Sequence, residues 1–322
     1  MRHNFKITII LLSMFLITQF IGLYVIHSDP FYITTEVNNE TQVIANPSLS
    51  WIQPPEVQQQ ADFGFYFGSL IFAFIFAILL FFLLTRFKID SVLRAWFFIV
   101  IIIALFITFN AIFPKTIYFA IGAGILAVAL AFIKVFKQNI IVHNLTELLI
   151  YPGIATIFVP ILNFWTIIIL LLIISAYDIW AVWHSGIMQK MAKYQMNTLK
   201  VFSGFFVPYI SKQLREKLKK MKKSKNKNKK IKVNLAILGG GDVVFPIITA
   251  GVIFKTSSIN LPFGLPAFVG GLIPALFVTF GAFIGLALLF SFSEKKKFYP
   301  AMPFITAGIF LGMILSYLIF SL

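Results

Sequence analysis

Long apolar stretches separated by short polar segments run through the whole chain. A helix needs roughly 20 apolar residues to cross the hydrocarbon core of a bilayer, and nine stretches meet that requirement. They comprise residues 7–26, 63–85, 95–113, 116–133, 145–162, 164–183, 233–254, 265–292 and 301–322. The pattern therefore predicts an all-α polytopic membrane protein with nine transmembrane helices.

Two of these stretches are less regular than the rest. The first follows Arg2 and Lys6 and could be a cleaved signal peptide, but no A-x-A cleavage site follows it, so we expect a retained helix. The fifth carries Glu147 near its start, together with Pro152 and Pro160. Prolines are tolerated in membrane helices where neighbours satisfy the freed backbone groups, so we interpret this stretch as a helix as well.

The composition agrees with a membrane protein and excludes several kinds of chemistry. Hydrophobic residues make up 59% of the 322 residues and charged residues only 12%, whereas a soluble domain is about a quarter charged. Cysteine is absent, which excludes disulfides, thiolate metal sites and cysteine catalysis. The four histidines form no HExxH pattern, and no Gly-x-x-x-x-Gly-Lys-Ser/Thr phosphate-binding loop occurs. We therefore expect neither a metal nor another cofactor.

The distribution of positive charge predicts the orientation of the chain. If the N-terminus is cytoplasmic, 25 of the 27 Lys and Arg residues fall on the cytoplasmic side, and only Lys115 and Lys255 fall outside. This satisfies the positive-inside rule, so we expect a multi-pass protein of the cell membrane with its C-terminus outside. Most of the net charge of +16 lies at 212–232. That segment favours contact with anionic lipid headgroups over nucleic acid, because no nucleic-acid-binding motif accompanies it.

A long cytoplasmic segment joins the sixth and seventh stretches. Residues 186–200 mix Met, Ala, Lys and Gln and could form an interfacial amphipathic helix. Residues 212–232 are dominated by Lys, with Asn and Ser, which favours a mobile tether between the flanking helices. The chain thus divides into a six-helix part at 1–184, a cytoplasmic loop at 185–232 and a three-helix part at 233–322.

Two aspartates interrupt apolar stretches on either side of this segment. Asp178 lies in the sixth stretch and Asp242 in the seventh. If both stretches are helical, each aspartate lies about 10–12 Å from the cytoplasmic face at 1.5 Å per residue. Glu147 and Asp62, by contrast, lie near the ends of their stretches. An ionisable side chain in the hydrocarbon is costly and usually functional, so we expect the two aspartates to meet at one depth.

A pair of carboxyl groups can hydrolyse an amide. One carboxylate takes a proton from water, while the other, protonated group polarises the carbonyl and later protonates the nitrogen. Like charges at close range cannot both ionise, so such a pair shares one proton. The glycines at 239–241 disfavour a helix by about 1 kcal/mol each, but they let another chain approach Asp242 closely. Intramembrane acids also serve proton- or cation-coupled transporters, so these residues alone leave both functions open.

Three short motifs resemble those of the presenilin and signal-peptide-peptidase family. They are Tyr-Asp at 177–178, Gly-Gly-Gly-Asp at 239–242 and Pro-Ala-Met-Pro at 300–303. The family has Tyr-Asp, Gly-x-Gly-Asp and Pro-Ala-Leu in this order on nine helices, and the resemblance covers the whole chain. It implies an intramembrane aspartyl endopeptidase of the Gly-x-Gly-Asp type, with Asp178 and Asp242 as the catalytic pair. The substrate-binding residues that it implies are Tyr177, Gly239, Gly240, Gly241, Pro300, Ala301, Met302 and Pro303.

One motif departs from the family pattern, because Met302 stands where the family has leucine. A literal Pro-Ala-Leu occurs at 274–276, but it lies inside the eighth stretch and we interpret it as a chance match. The resemblance looks closest to archaeal presenilin-like proteins, which implies single-span membrane substrates or signal-peptide remnants and no obligatory partner subunit; oligomerisation stays open. Prepilin peptidases also contain Gly-x-Gly-Asp, but they have fewer spans and lack the other two motifs.

Overall fold

The computed structural model describes most of the chain. The described residues are 5–37, 40–55, 57, 59–87, 89–137, 139–185, 194–195, 202–209, 234–257, 267–293 and 299–320. The predicted tether at 212–232 lies outside them, and so does the predicted amphipathic segment at 186–200 except for residues 194–195.

The described residues form nine α-helices. They are α1 (Phe5–Ser28), α2 (Asp62–Arg86), α3 (Asp90–Ile112), α4 (Ile117–Phe132), α5 (Ile140–Phe158), α6 (Phe164–Trp180), α7 (Gly240–Thr256), α8 (Ala267–Phe292) and α9 (Met302–Phe320). With their short extensions, eight of these described helices are long and apolar enough to cross a membrane, and the ninth, α7, has 17 residues. The predicted class, an all-α membrane protein with nine helices, is confirmed.

Helices α4 and α6 each continue into one π-helical turn, at Ile133–Lys137 and Ala181–Ser185. The first turn carries Lys134 into the protein, where only 4% of the residue is exposed. Its ion-pair partner is Glu147 on α5, which is 1% exposed. The sequence interpretation was wrong at both positions. The fourth predicted stretch ends at 133 and leaves Lys134 among the 25 cytoplasmic cationic residues, whereas Lys134 belongs to a buried helical turn. Glu147 lies two turns into α5, because that helix begins at Ile140 rather than at 145.

Two antiparallel strand pairs accompany the helices. Strand β1 (Tyr32–Val37) pairs with β2 (Glu40–Ala45), and β3 (Gly204–Tyr209) pairs with β4 (Asn234–Gly239). The sequence pattern predicts neither pair, and β4 corrects the prediction of one continuous helix at 233–254. Consecutive glycines disfavour a helix, and β3 supplies hydrogen-bond partners for an extended backbone. The chain therefore stays extended up to the glycines and becomes helical only from Gly240.

The largest buried cluster draws on α1, α5, α6, α7, α8 and α9, together with β3 and β4. Helices α8 and α9 approach each other closely, since a Cβ atom at Gly281 would overlap the carbonyl oxygen of Gly308. Small residues at such contacts are a common basis for helix association in membranes. This contact fixes the position of α9, whose first residue belongs to the Pro-Ala-Met motif.

Lys115 and Lys255, the two cationic residues expected outside, converge on the turn that follows α1. The Nζ of Lys115 donates to the backbone carbonyl oxygens of Ser28, Asp29 and Tyr32 at 2.7–3.0 Å. Burial lowers the pKa of Lys115, and the negative charge of Asp29 opposes this effect. The Nζ of Lys255 lies 2.6 Å from Oδ2 of Asp29. Both lysines therefore lie at the same end of the bundle as the C-terminus of α1.

Candidate active site

Asp178 lies in the last turn of α6 and is 6% exposed. Helix α6 begins at a capping box in which the side chains of Asn163 and Thr166 satisfy each other's backbone N–H groups. Near its other end, the hydroxyl of Ser175 lies 2.8 Å from that of Thr306 on α9, and both residues are buried. This contact is about one turn before Asp178 and therefore holds α6 against α9 at the level of the aspartate.

The carboxylate of Asp178 caps the N-terminus of α9. Its Oδ2 accepts a hydrogen bond from the backbone N–H of Met302 at 3.0 Å. The first N–H groups of a helix lack partners within the helix, and the helix dipole favours a negative charge there. Pro300 precedes α9, and Pro303 lies in its first turn, where a missing N–H removes no helical hydrogen bond. The Pro-Ala-Met motif thus contacts Asp178 through its backbone.

Asp242 lies in the first turn of α7, directly after β4. Gly239 is the N-cap residue of this helix, and the carboxyl group of Asp242 reaches back to its backbone N–H. An acidic side chain three residues after the N-cap commonly satisfies that group. Asp242 is half-buried, and its charge interacts with that of Asp178. The structure therefore brings the two aspartates together.

The depth estimate that predicted this proximity was partly wrong. It assumed a helix throughout 233–254, whereas an extended strand precedes Asp242. A strand rises about 3.3 Å per residue and a helix 1.5 Å, so residue counting along a helix does not give the depth of this aspartate. The carboxyl groups lie close enough to interact electrostatically because α6, α7 and α9 pack against one another.

The three glycines before Asp242 differ in their surroundings. A Cβ atom at Gly240 would lie 2.8 Å from the hydroxyl of Tyr151, which is buried. A Cβ atom at Gly239 would lie 3.1 Å from Oδ2 of Asp242, whereas one at Gly241 would meet nothing closer than 3.7 Å. Gly240 thus permits a close contact inside the protein, while Gly241 is exposed.

Helix α1 supports the start of α7. Gln19 on α1 is fully buried, and its Nε2 donates to the carbonyl oxygen of Val243 at 3.0 Å. One turn further along α1, a Cβ atom at Gly22 would overlap the side chain of Ile247. Close contact with α1 therefore holds the turn that carries Asp242. The sequence analysis did not single out Gln19, although a lone amide in an apolar span is a recognisable signal.

Tyr177 precedes Asp178 and lies on a more accessible side of α6. It is 39% exposed, and its ring packs on that of Trp180 with the centroids 6.3 Å apart. The phenol is close enough to Asp178 for an electrostatic interaction. Tyr177 thus lies beside the aspartate but is not enclosed with it.

The literal Pro-Ala-Leu sequence at 274–276 lies far from the aspartates. Pro274 is inside α8 and lines a cavity of about 470 Å³ together with Ser257, which follows the end of α7. The 17 residues of α7 place its two ends about 25 Å apart, and Asp242 is at the opposite end. The interpretation of this sequence as a chance match agrees with its position.

A buried polar cluster on α5 is the main feature that the sequence analysis missed. The Nζ of Lys134 lies 2.5 Å from Oε1 of Glu147 and 3.2 Å from Nδ1 of His143. The Nε2 of His143 lies 2.8 Å from the carbonyl oxygen of Gly204 in β3. His143, Glu147 and Tyr151 recur at four-residue spacing and hence share one helix face, which is the signal that indicates a polar face on α5.

In the described part of the chain, nine helices hold two aspartates near each other beside a glycine-rich turn, an arrangement expected of an intramembrane aspartyl protease. The sequence model of the family described as "Signal-peptide peptidase, presenilin aspartyl protease" matches residues 42–322. The chain belongs to this family, and it is a presenilin-family intramembrane aspartyl protease. Neither a transporter nor a prepilin peptidase is supported.

Solved structures agree with this assignment at the level of the fold. Two are described as structures of a presenilin family intramembrane aspartate protease, in the C222 and P2 space groups. The first has a TM-score of 0.59 and 18% sequence identity, covering 97% of this chain and 99% of its own. The second has a TM-score of 0.56 and 17% identity, covering 96% of both chains. No curated protein matches the sequence.

Proposed function

We propose that this protease is an endopeptidase of the Gly-x-Gly-Asp type in which Asp178 and Asp242 form the catalytic pair. The observation that carries the proposal is that α6 and α7 hold the two acids close enough for their charges to interact. Each acid also has a backbone partner, the N–H of Met302 for Asp178 and that of Gly239 for Asp242. Such partners orient both carboxyl groups before a substrate arrives.

The pair acts by general acid–base catalysis. One carboxylate accepts a proton from water as the water oxygen bonds to the scissile carbonyl carbon, and the partner carboxylic acid donates a hydrogen bond to the carbonyl oxygen. When the tetrahedral intermediate collapses, the carbon–nitrogen bond breaks and the carboxyl group that took the proton from water passes it to the leaving nitrogen, so the pair again holds one proton. This cycle requires that the two carboxyl groups share one proton at its start.

A substrate must be extended at the bond to be cleaved, and β4 offers it a strand edge. The N–H of Gly240 donates to the carbonyl oxygen of Ser203 at 3.3 Å, which makes these residues a hydrogen-bonded pair in continuation of the ladder. In an antiparallel ladder, hydrogen-bonded pairs alternate with pairs whose N–H and C=O groups point away from the partner strand. Counting back from Gly240, Ile237 is at a position of the second kind, so its N–H and C=O point away from β3. A substrate strand added there would run beside Asp242.

The other substrate-binding residues surround this edge and the two acids. Gly240 is buried, and we infer that it acts by admitting Tyr151 rather than by touching substrate, whereas Gly241 is exposed beside the edge. The proposed substrate-binding residues that are accessible are Tyr177, Gly239, Gly241 and Pro303. Pro300, Ala301 and Met302 are buried, and we infer that they act through the backbone turn that presents the Met302 N–H to Asp178. The position of this site inside a membrane bundle favours single-span membrane proteins or signal-peptide remnants as substrates. The resemblance to archaeal presenilin-like proteins implies cleavage without an obligatory partner subunit.

A cleavage assay with purified protein tests the catalytic pair. Wild-type protein in detergent or vesicles should cut a single-span peptide within its apolar segment without any added subunit, and the products can be assigned by mass spectrometry. Asp242→Asn should abolish cleavage while leaving the protein folded, because Asn removes a charge but keeps the shape. Substantial cleavage by Asp242→Asn would reject the pair, and ion flux in vesicles would then be the next measurement.

We propose that the N-terminus and the segment 212–232 are cytoplasmic and that the C-terminus is outside. Lys115 and Lys255, the two exceptions in the charge distribution, both contact the turn after α1, which supports their location on the side opposite the N-terminus. Because the chain lacks cysteine, single cysteines at position 225 and at the C-terminus can be tested with a membrane-impermeant thiol reagent. Labelling of both from one side would contradict the proposed division at 1–184, 185–232 and 233–322.

A further inference from the structure

We infer that helix α5 closes the outer edge of β3, so that an extended substrate can add only to β4. His143 and Asn144 are the positioning residues that close this edge. The inference rests on the proposed function, because it concerns the strand edge at which the substrate is held.

Asn144 takes the place of a neighbouring strand at Phe206. Its Nδ2 donates to the carbonyl oxygen of Phe206 at 2.7 Å, and its Oδ1 accepts the Phe206 N–H at 2.9 Å. These are the two backbone groups that an added strand would use. Phe206 is paired with Ile237 in β4, at a position where backbone groups point outward. The Asn144 amide therefore occupies the outer edge of β3.

His143 covers the same edge at Gly204, which is the outward-facing position that precedes Phe206. Its Nε2 lies 2.8 Å from the carbonyl oxygen of Gly204, and its ring stacks on that of Phe206 with the centroids 4.7 Å apart. A carbonyl oxygen only accepts, so Nε2 carries the proton; a lysine ammonium only donates, so Nδ1 accepts from Lys134. Lys134 is held in turn by Glu147 at 2.5 Å. The buried ion pair thus fixes the tautomer and direction of His143.

Pro208 removes a third outward-facing group from this edge. It lies two residues beyond Phe206, so its backbone nitrogen also faces away from β4, and proline has no N–H to donate. Proline on an edge strand is a common means by which proteins prevent strand addition. The outer edge of β3 is therefore blocked at positions 204, 206 and 208 in succession.

This asymmetry directs the substrate to the strand that leads into the active site. Strand β4 ends at Gly239, in the turn that carries Asp242. Neighbouring strands lie about 4.8 Å apart, so a substrate bound on the outer edge of β3 would lie roughly two strand spacings, about 10 Å, from β4. A displacement of that size separates the scissile bond from the catalytic groups and makes the complex unproductive.

Disulfide trapping tests which edge accepts the substrate. The chain has no cysteine, so single cysteines are introduced at two exposed strand residues, as Ile237→Cys on β4 and Pro208→Cys on β3. Both are placed in an Asp242→Asn background, which keeps the substrate intact, and are incubated with single-span peptides that carry one cysteine near the cleavage site. We expect an adduct with Ile237→Cys and at least about tenfold less with Pro208→Cys, because His143 and Asn144 still cover the edge in that variant even though the cysteine restores the N–H that Pro208 lacks. Adding Asn144→Leu should raise the Pro208→Cys adduct about tenfold, since two hydrogen bonds no longer cover the edge and tenfold corresponds to ~1.4 kcal/mol.

A matched control separates edge closure from loss of structure. Asn139 is the N-cap of the same helix, and its side chain likewise makes two hydrogen bonds, to the N–H groups of Ile141 and Val142. Asn139→Ala should destabilise α5 without raising the Pro208→Cys adduct. If Asn144→Leu does not fold, His143→Leu supplies the second variant and His143→Gln, which keeps a donor for Gly204, supplies its rescue. If the yield of the Pro208→Cys adduct is the same with native Asn144 as with Asn144→Leu, the inference is overturned.

Kinetics of the active enzyme provide an independent readout. Substrate bound unproductively on β3 competes with productive binding, so Asn144→Leu should lower kcat and KM by the same factor and leave kcat/KM unchanged. A purely structural defect would instead lower kcat/KM. Cleavage of the peptide by Asp242→Asn would reject the catalytic pair, whereas an intact peptide that gives equal adducts with Ile237→Cys and Pro208→Cys would reject the inference, so the two failures are distinguishable.

Discussion

Asp178 and Met302 lie 124 positions apart in the sequence, yet the backbone N–H of Met302 donates to the Asp178 carboxylate at 3.0 Å. The contact joins the acid at the end of α6 to the first residue of α9. Because it uses a backbone group, it depends on the conformation of the Pro-Ala-Met turn more than on the side chain at 302. This explains how methionine can stand where leucine is the family pattern.

Pro300→Ala should lower turnover, because proline restricts the backbone that presents Met302 to Asp178. Removing such a restriction typically costs ~0.4–1 kcal/mol, which corresponds to roughly a two- to fivefold loss in the population of the competent turn. Steady-state kinetics on a single-span peptide measure the effect. Met302→Leu should behave like wild type, since the two side chains have similar volumes. The matched control is Pro274→Ala in α8, and an equal loss in that variant would argue against a specific role for Pro300.

Asp178→Asn and Asp242→Asn should each reduce cleavage by roughly 10⁴-fold or more, and the double variant should be no slower than either, because groups that act as a unit are non-additive. The wild-type rate should follow a bell-shaped pH profile whose two limbs belong to the pair and not to either residue alone. A hydroxyl-containing transition-state mimic should bind the wild type and lose affinity for both single variants. Additive losses in the double variant would mean that the two acids work separately.

Lys134→Met should lower the free energy of unfolding by about 3–5 kcal/mol, because it leaves the buried carboxylate of Glu147 without its cation. The double variant Lys134→Met/Glu147→Leu should recover most of that loss, since an apolar pair of similar volume often replaces a buried ion pair at little cost. Thermal unfolding in one detergent provides the comparison for both single variants and the double variant. If the loss in the free energy of unfolding of the double variant equals the sum of the losses of the two single variants, the two residues are not coupled.

Gly281→Ala should destabilise the bundle by about 1–3 kcal/mol, because the added methyl group overlaps the carbonyl oxygen of Gly308 and forces α8 and α9 apart. Since α9 begins at Met302, activity should fall together with stability. Gly122→Ala in α4 is the matched control, because a Cβ atom there meets nothing within 4 Å. Its stability should be unchanged or slightly higher, as alanine is the better helix former. Equal destabilisation in both variants would point to a general effect of alanine.

The candidate site was predicted from the sequence only in part, and Asp242 and Glu147 illustrate the limit. Both aspartates are visible as acids in apolar stretches, because the cost of a buried charge makes such residues rare. The strand before Asp242 is not visible, since an apolar run of that length reads equally well as part of a membrane helix. Glu147 is visible as an acid, but its burial follows from the π-helical turn that brings Lys134 inward.

The amino-acid sequence by itself determines that this is a nine-helix membrane protein with two intramembrane aspartates, because apolar length and the scarcity of charge are local properties that any helical packing must respect. Only the tertiary structure decides that β3 and β4 precede Asp242, that Asp178 caps the N-terminus of α9 at Met302 and that α5 covers one strand edge. Each of these depends on hydrogen bonds between segments far apart in the chain. Local propensity cannot specify such partners. In a membrane, each backbone N–H and C=O group must find its hydrogen-bond partner within the protein, and the packing of distant segments decides which partner is within reach.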